Sequence, residues 1–418
     1  MTIPSDPVAP LSVVNAAGPP RWVTPTVLAI VAATFLSDFS HEMCTAVLPL
    51  YLASIQLGPA ALGLIEGIAD FLVSLSKLGG GYLGHHVREK RPWASLGYLI
   101  TAGATFAIAL VTEAVAILTL RSLAWIGRGF RGPLRDAMLA EAVPREYFGR
   151  AYGLERAGDM LGAVAGPLVA ILLVWAGLDF RTVILWTLLP GLAAAAAIYF
   201  FARERNPVSS PVAPLEVEVV RPKFPPLFWW FLGGVLLFGL GDFSRTFLIW
   251  LAAKTLGEEA GLARGTLSLA VTLYLGHNLV SAVAAYPTGY LGDHFSKAIV
   301  LIVGYGLGVL TNLSLAIFFG SFSWLVVTVL LSGVYIAVEE TLEKAVAAEL
   351  LPKELRSLGF GILACVNAVG DMVSSVYVGY LLQSDQPGWA FGLAAGVGAA
   401  GVLWMVCLVI ARRKPAPA

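Results

Sequence analysis

The chain has 418 residues, 58% of them hydrophobic and only 13% charged, with a mean hydropathy of +0.79. A water-soluble globular protein of this length has no use for so much apolar residue. The 27 basic and 27 acidic side chains cancel, which excludes the basic footprint of a nucleic-acid binder.

The first 20 residues contain five prolines and no Lys or Arg. They lack the basic start and apolar run of a secretory signal peptide, so residues 1–22 read as a disordered cytoplasmic tail. Twelve apolar segments follow, each long enough to span a bilayer. They are 23–54, 61–84, 93–112, 115–141, 147–175, 180–202, 225–253, 263–292, 297–319, 322–348, 355–382 and 388–411. Residues 203–226, RERNPVSSPVAPLEVEVVRPKFPP, are Pro-rich and charged and read as a cytoplasmic linker. The linker separates an N-terminal bundle, 23–202, from a C-terminal bundle, 227–411, and residues 412–418 form a second tail. The expected fold is therefore an all-α membrane protein of twelve transmembrane helices in two six-helix bundles. With the N-terminus inside, the inner segments hold sixteen Lys and Arg and the outer loops three, Arg181, Lys254 and Arg264. That asymmetry places both termini in the cytoplasm.

The charges inside the spans mark the candidate site, because ionisable groups in a bilayer are costly and face a cavity or a partner. In helix 1, Asp38, His41 and Glu42 share a face at i, i+3 and i+4. Asp38 and Glu42 are candidates for proton carriage, since a desolvated carboxyl titrates; an ion pair with Arg128 or Arg131 is the competing reading. Met43 and Cys44 turn away from His41 on the helical wheel, so no metal is assigned to this run. In helix 2, Glu66 and Asp70 lie one turn apart; Asp70 joins the proton-coupling candidates, while Lys77 snorkels toward the cytoplasm.

Helix 4 is the most heavily charged. Arg121, Arg128 and Arg135 fall on one stripe, with Arg131 beside it and Asp136 adjoining. At about 1.5 Å per residue, Arg131 lies roughly 20 Å from Pro144, where the helix should leave a core about 30 Å thick. The stripe reads either as the wall of a cavity that handles charge or as a buried ion-pair network. In helix 5, Glu155, Arg156 and Asp159 are close enough to pair locally; so are Asp242 and Arg245 in helix 7. Asn367 and Asp371 in helix 11 line a path, and Trp22, Trp93 and Trp229 read as interfacial anchors. Cys44, Cys365 and Cys407 form no CxxC pair, so no disulfide framework or zinc site is indicated. No nucleotide loop and no Ser-His-Asp arrangement is readable; the chain is not expected to be an enzyme or to hold a cofactor.

The two halves repeat. GYLGHH at 81–86 matches GYLGDH at 289–294, and AEAVPREYFGRAYG at 140–153 matches AELLPKELRSLGFG at 348–361, both at an offset of 208. Asp38-Phe39-Ser40 matches Asp242-Phe243-Ser244 at an offset of 204. Parallel halves around a midplane site are a transporter plan. At offset 208, Arg131 falls on Glu339, Arg135 on Glu343 and Asp136 on Lys344. A cationic helix 4 thus faces an anionic helix 10; the two either attract each other or hold a zwitterionic or charged substrate between them.

These residues resemble a known family. GYLGHHVREKRP, residues 81–92, is similar to the loop signature G-x-x-x-D-x-x-G-R-R of the major facilitator superfamily, with His85 at the acid and Arg88 at the second glycine. The second copy keeps the acid as Asp293. Arg121 resembles the family's helix-4 arginine, linked to proton coupling. Gly153, Gly162, Gly166 and Pro167 resemble its helix-5 antiporter motif, although Ala170 and Ile171 replace the final Gly-Gly. The Ser37–Met43 run and the Gly127–Ala137 run resemble a bacterial subgroup with S-D-x-S-x-E-M and G-K/R-G-x-R-x-x-x-R-D-A.

The resemblance implies a bacterial inner-membrane secondary transporter working by alternating access as a monomer. The expectation is proton-coupled export or exchange of a small polar or charged organic solute. Substrate contact falls to Arg128, Arg131, Arg135, Glu339, Glu343 and Asn367. Proton coupling falls to Asp38, Glu42, Arg121 and Asp70. Gating falls to Gly81, His85, Arg88, Asp293, Gly162, Gly166 and Pro167. The alternatives are a metal or other cation carrier using the acids of helices 1 and 10, a lipid flippase, and a non-transporting receptor.

Overall fold

The computed structural model of the chain describes residues 22–55, 59–204, 223–243, 264–318 and 322–413. Among them there is no strand, and twelve helical segments run in order. They are α1 (Pro25–Ser54), α2 (Pro59–His86), α3 (Arg91–Ile108), α4 (Ala114–Ala142), α5 (Phe148–Trp175) and α6 (Phe180–Phe201). The second half has α7 (Pro226–Gly239), α8 (Arg264–His294), α9 (Lys297–Ile317), α10 (Phe322–Leu350), α11 (Arg356–Gln383) and α12 (Pro387–Arg413). The expected span 225–253 is met by α7 up to Gly239; residues 244–253 lie outside the described residues.

Seven of the helices are long and apolar enough to cross a membrane. α4 fails that measure because Arg121, Arg128, Arg131, Arg135 and Asp136 interrupt it. Its length still suits a span, and its charges are turned inward. The outward surface is apolar: Val115, Trp175, Phe200, Val376, Tyr380 and Trp389 are all largely exposed. Only lipid tolerates such a surface together with helices that satisfy their own backbone bonds.

Local chemistry sets the ends and breaks. α1, α2, α7 and α12 open on proline, which needs no N–H partner there. Asp179 caps α6 by accepting from the Thr182 amide at 3.3 Å and hydroxyl at 2.6 Å, and these bonds hold its carboxyl below the usual range. α6 breaks at Thr187, whose hydroxyl bonds back to the Ile184 carbonyl while its own carbonyl accepts from Ser40 at 2.8 Å.

The bundles of α1–α6 and α7–α12 touch at the face where α6 ends and α7 begins, here called the linker face. Two seams close it. On α5 and α8, a Cβ added to Gly149 would lie 2.3 Å from the Gly289 carbonyl oxygen. On α2 and α11, a Cβ added to Gly81 would lie 2.8 Å from the Ser357 carbonyl oxygen. Gly81 and Gly289 are repeat partners at offset 208, as are Gly149 and Ser357. The two seams are therefore images of each other under the internal repeat.

Candidate functional site

Small residues on α5 bring α1 into backbone contact. A Cβ on Gly162 would lie 2.5 Å from the Phe35 carbonyl oxygen, and one on Gly166 would lie 2.6 Å from that of Phe39. Glycines four apart permit this approach. The contact sets Asp38 and Glu42 of α1 beside α5 as well as α4.

The arginines of α4 then find different partners. Arg128 grips Asp38 with both terminal nitrogens, at 2.7 and 3.0 Å. Arg121 is fully buried and donates to the Thr45 hydroxyl at 3.0 Å. Trp125 lies between these two guanidiniums, 5.5 Å from Arg121 and 5.6 Å from Arg128, with the His41 ring edge-on at 4.6 Å. Glu42 is half-buried on the Arg128 side. Arg131 turns back into its own bundle. It donates to the hydroxyls of Thr101 at 2.8 Å and Ser37 at 2.5 Å, and its guanidinium lies 4.0 Å from the centre of the Tyr98 ring. Arg135 pairs with Asp136 and Glu155, each at 2.9 Å.

In the second bundle, Glu343 accepts from the Tyr305 hydroxyl and, at 2.6 Å, from the Asn367 amide. Glu339 is buried, with Asp242, Glu343, Asp371 and Glu340 as its charged neighbours. Asp242 accepts from the Tyr335 hydroxyl at 2.7 Å. Arg131 and Arg135 thus do not meet Glu339 and Glu343 in this state, although the repeat aligns them. Other ion pairs cross between the bundles. Lys344 reaches Asp136 at 3.5 Å and Glu155 at 3.7 Å, and Arg156 reaches Glu340 at 2.6 Å. The Asp136–Lys344 contact was aligned by the repeat; nothing in the sequence pointed to Glu340. Arg156 also makes the local bond to Asp159 at 2.6 Å that helix spacing indicated.

At the linker face, Asp293 caps α5. It accepts from the Gly149 amide at 2.8 Å, the Arg150 amide at 2.9 Å and the Arg150 Nε at 3.0 Å, and it pairs with Lys297 at 3.1 Å. Its repeat partner His85 instead donates from Nδ1 to the Glu354 carbonyl at 2.6 Å. Arg88 is exposed beyond α2. Trp22 stacks between Tyr147 and Tyr286 over Arg150, so it seals the α5–α8 seam, whereas Trp93 and Trp229 are exposed. Pro167 is buried within α5. The side chains of Glu66 and Asp70, and all of Arg245, lie outside the described residues.

Two helical bundles that meet through glycine seams and buried ion pairs, wrapped in an apolar surface, define a multi-pass membrane transporter rather than an enzyme. The chain belongs to the Major Facilitator Superfamily, whose model matches residues 30–253 and 239–418. An uncharacterized MFS-type transporter of Methanocaldococcus jannaschii is 26% identical over 352 residues, 83% of this chain and 86% of that protein. An uncharacterized Mycobacterium tuberculosis protein is 24% identical over 86% of this chain and 87% of its own. Among solved structures, the human organic anion transporter MFSD10 superposes with a TM-score of 0.75 at 16% identity, covering 93% of this chain and all of that one. A bacterial homologue of the iron transporter ferroportin, in its outward-facing state, gives 0.70 at 15% identity, over 92% of this chain and 99% of that one. At these identities the likeness is one of fold.

Proposed function

We propose that the chain is a proton-coupled exporter or exchanger of a small polar or charged organic solute, working by alternating access as a monomer. Its setting would be a bacterial inner membrane, with both termini and the 203–226 linker in the cytoplasm and bundles at 23–202 and 227–411. The single observation behind this reading is the Asp38–Arg128 pair. Asp38 is almost fully buried while the Arg128 side chain is 24% exposed. A carboxyl that binds a proton releases its guanidinium, and an anionic group of the solute takes its place; proton and solute then exchange by linkage. The closed linker face fits a state open to the other side. Arg121 and Glu42 flank the pair, and Glu339, Glu343 and Asn367 supply the facing acidic and amide groups for a solute with a cationic or donor end.

Among the described residues, no group of three or more His, Cys, Asp or Glu side chains is placed to hold a metal ion, and no observation favours the metal reading. The test is flux in proteoliposomes across a panel of organic anions, zwitterions, cations and divalent metals, with and without an imposed pH gradient. Flux of an organic solute that the gradient drives is the expected result. Flux indifferent to the gradient for every solute overturns the coupling.

A further inference from the structure

We propose that the second bundle holds a binding site for an organic ammonium group, built around Glu339, so that the transported solute carries a cationic amine. The inference rests on the reading of the chain as a solute transporter and deepens it by naming the substrate class.

The site begins with one face of α10. Tyr335, Glu339 and Glu343 follow one another at i, i+4 and i+8, so they line up along it. Glu340 and Lys344 lie about 100° around the same helix. Those two turn to Arg156 and Asp136 of the first bundle. The Tyr335 face turns into its own bundle, and both of its ends are tied there. Tyr335 donates to Asp242, just beyond α7, at 2.7 Å. Glu343 accepts from Tyr305 of α9 and, at 2.6 Å, from Asn367 of α11. Phe238 of α7 lies flat on Tyr305 with ring centres 3.7 Å apart, and Tyr335 is edge-on to it at 6.4 Å. Glu339 sits between the tied ends. It is only 7% exposed and forms no hydrogen bond or ion pair among the described residues.

The internal repeat shows what this place lacks. At offset 208, Glu339 stands for Arg131, Tyr335 for Gly127 and Tyr305 for Gly97. In the first bundle the Arg131 guanidinium fills the place, 4.0 Å from the Tyr98 ring and bonded to Thr101 and Ser37. Gly97 and Gly127 close in beside it, since a Cβ on Gly127 would lie 2.8 Å from the Gly97 carbonyl oxygen. The first bundle thus carries, in its own sequence, a cation on an aromatic ring. The second has carboxyls and the rings of Phe238, Tyr305 and Tyr335. No basic side chain pairs with Glu339 or Glu343 among the described residues. A buried carboxyl without a partner is costly to ionise, and an entering cation removes that cost.

An ammonium group is the cation that fits. Aromatic rings and carboxylates together recognise such groups. Glu343 keeps acceptor capacity beyond its two bonds. Among the described residues no three acidic, thiol or imidazole side chains are placed to hold a metal ion. Entry from the side away from the linker face passes Asp371, exposed on α11, and then the half-buried Asp242 and Asn367. An exposed carboxyl inside a span faces a water-filled cavity rather than lipid.

The test is equilibrium binding to the purified protein in detergent at one neutral pH, where no gradient exists. Benzylamine, choline and putrescine are the probes, with benzyl alcohol as the uncharged counterpart, and thermal unfolding reports binding. At least one amine is expected to raise the unfolding temperature in a saturable way, and benzyl alcohol is not. Glu339→Gln strands no partner, so without ligand it should unfold at the parent's temperature; it is expected to weaken amine binding roughly tenfold or more. Glu343→Gln still offers an acceptor to Tyr305 and Asn367 and is expected to weaken binding likewise. No stabilisation by any of the three amines, or parental amine binding in either variant, overturns the site. Proton coupling is judged separately. Amine binding together with flux indifferent to a pH gradient overturns the coupling and leaves the site. Gradient-driven flux of another solute, with no amine binding, overturns the site and leaves the coupling.

Discussion

Arg128 and Asp38 form a two-pronged ion pair, 2.7 and 3.0 Å long, between the middle of α4 and the middle of α1. Its neighbour Arg131, one turn along α4, is held by hydroxyls and an aromatic ring instead. Neutralising that second arginine therefore removes no carboxylate partner, and the two positions separate experimentally.

Breaking the Arg128–Asp38 pair strands a buried charge. Removing one member of such a pair costs about 3–5 kcal/mol. Arg128→Ala is expected to lower thermal stability sharply, and Arg128→Ala combined with Asp38→Asn to recover most of the loss. The double variant should nonetheless fail to concentrate solute against a pH gradient. Stability is read by thermal unfolding in detergent and coupling by proteoliposome flux; an Arg128→Ala protein as stable as the parent would refute the pair's role in the closed state.

Charge reversal between the halves gives a negative prediction. Arg131 lies inside the first bundle, while Glu339 lies in the second with Asp242, Glu343, Asp371 and Glu340 among its charged neighbours. Arg131→Glu with Glu339→Arg is expected to give no more transport than either single variant. Recovery in the double variant would mean that the two residues meet in another state. Glu340→Arg with Arg156→Glu, in contrast, reverses a pair in direct contact and should retain the linker-face closure that each single change weakens.

The glycine seam predicts a steric block. A Cβ on Gly289 would sit 2.0 Å from the Gly149 carbonyl oxygen, with backbone on both sides. Gly289→Val is expected to hold the linker face open, seen as raised thiol labelling at Ser357→Cys, a position buried in the other seam. Gly306→Val, where nothing lies within 4 Å, is the control and should label as the parent does. Equal labelling in both variants would remove the seam from the gate.

Topology carries its own check. The sixteen-to-three excess of Lys and Arg predicts that the linker face lies in the cytoplasm. Reporter fusions after Arg91, Pro207 and Arg413 should all read inside, and a periplasmic signal from any one reverses the orientation.

The spans, the repeat and the Arg156–Asp159 bond were legible in the chain because each follows from a local rule. Span length follows from apolar runs, pseudo-symmetry from the 208-residue offset, and the Arg156–Asp159 bond from the i, i+3 geometry of one helix. The repeat even aligned Asp136 with Lys344, which meet at 3.5 Å. What only the tertiary structure decided is which way each charged helix face turns. A sequence places Arg131 on α4 but does not set that helix's rotation against α3, so its Tyr98 and Thr101 partners stayed hidden behind the more obvious Glu339. The same holds for Arg156 with Glu340. That contact joins residues over 100 positions apart, on helices whose axes are set close by glycines on α5. Distances between axes, and the rotations that follow, are settled by packing of whole helices, and no single stretch of the chain encodes them.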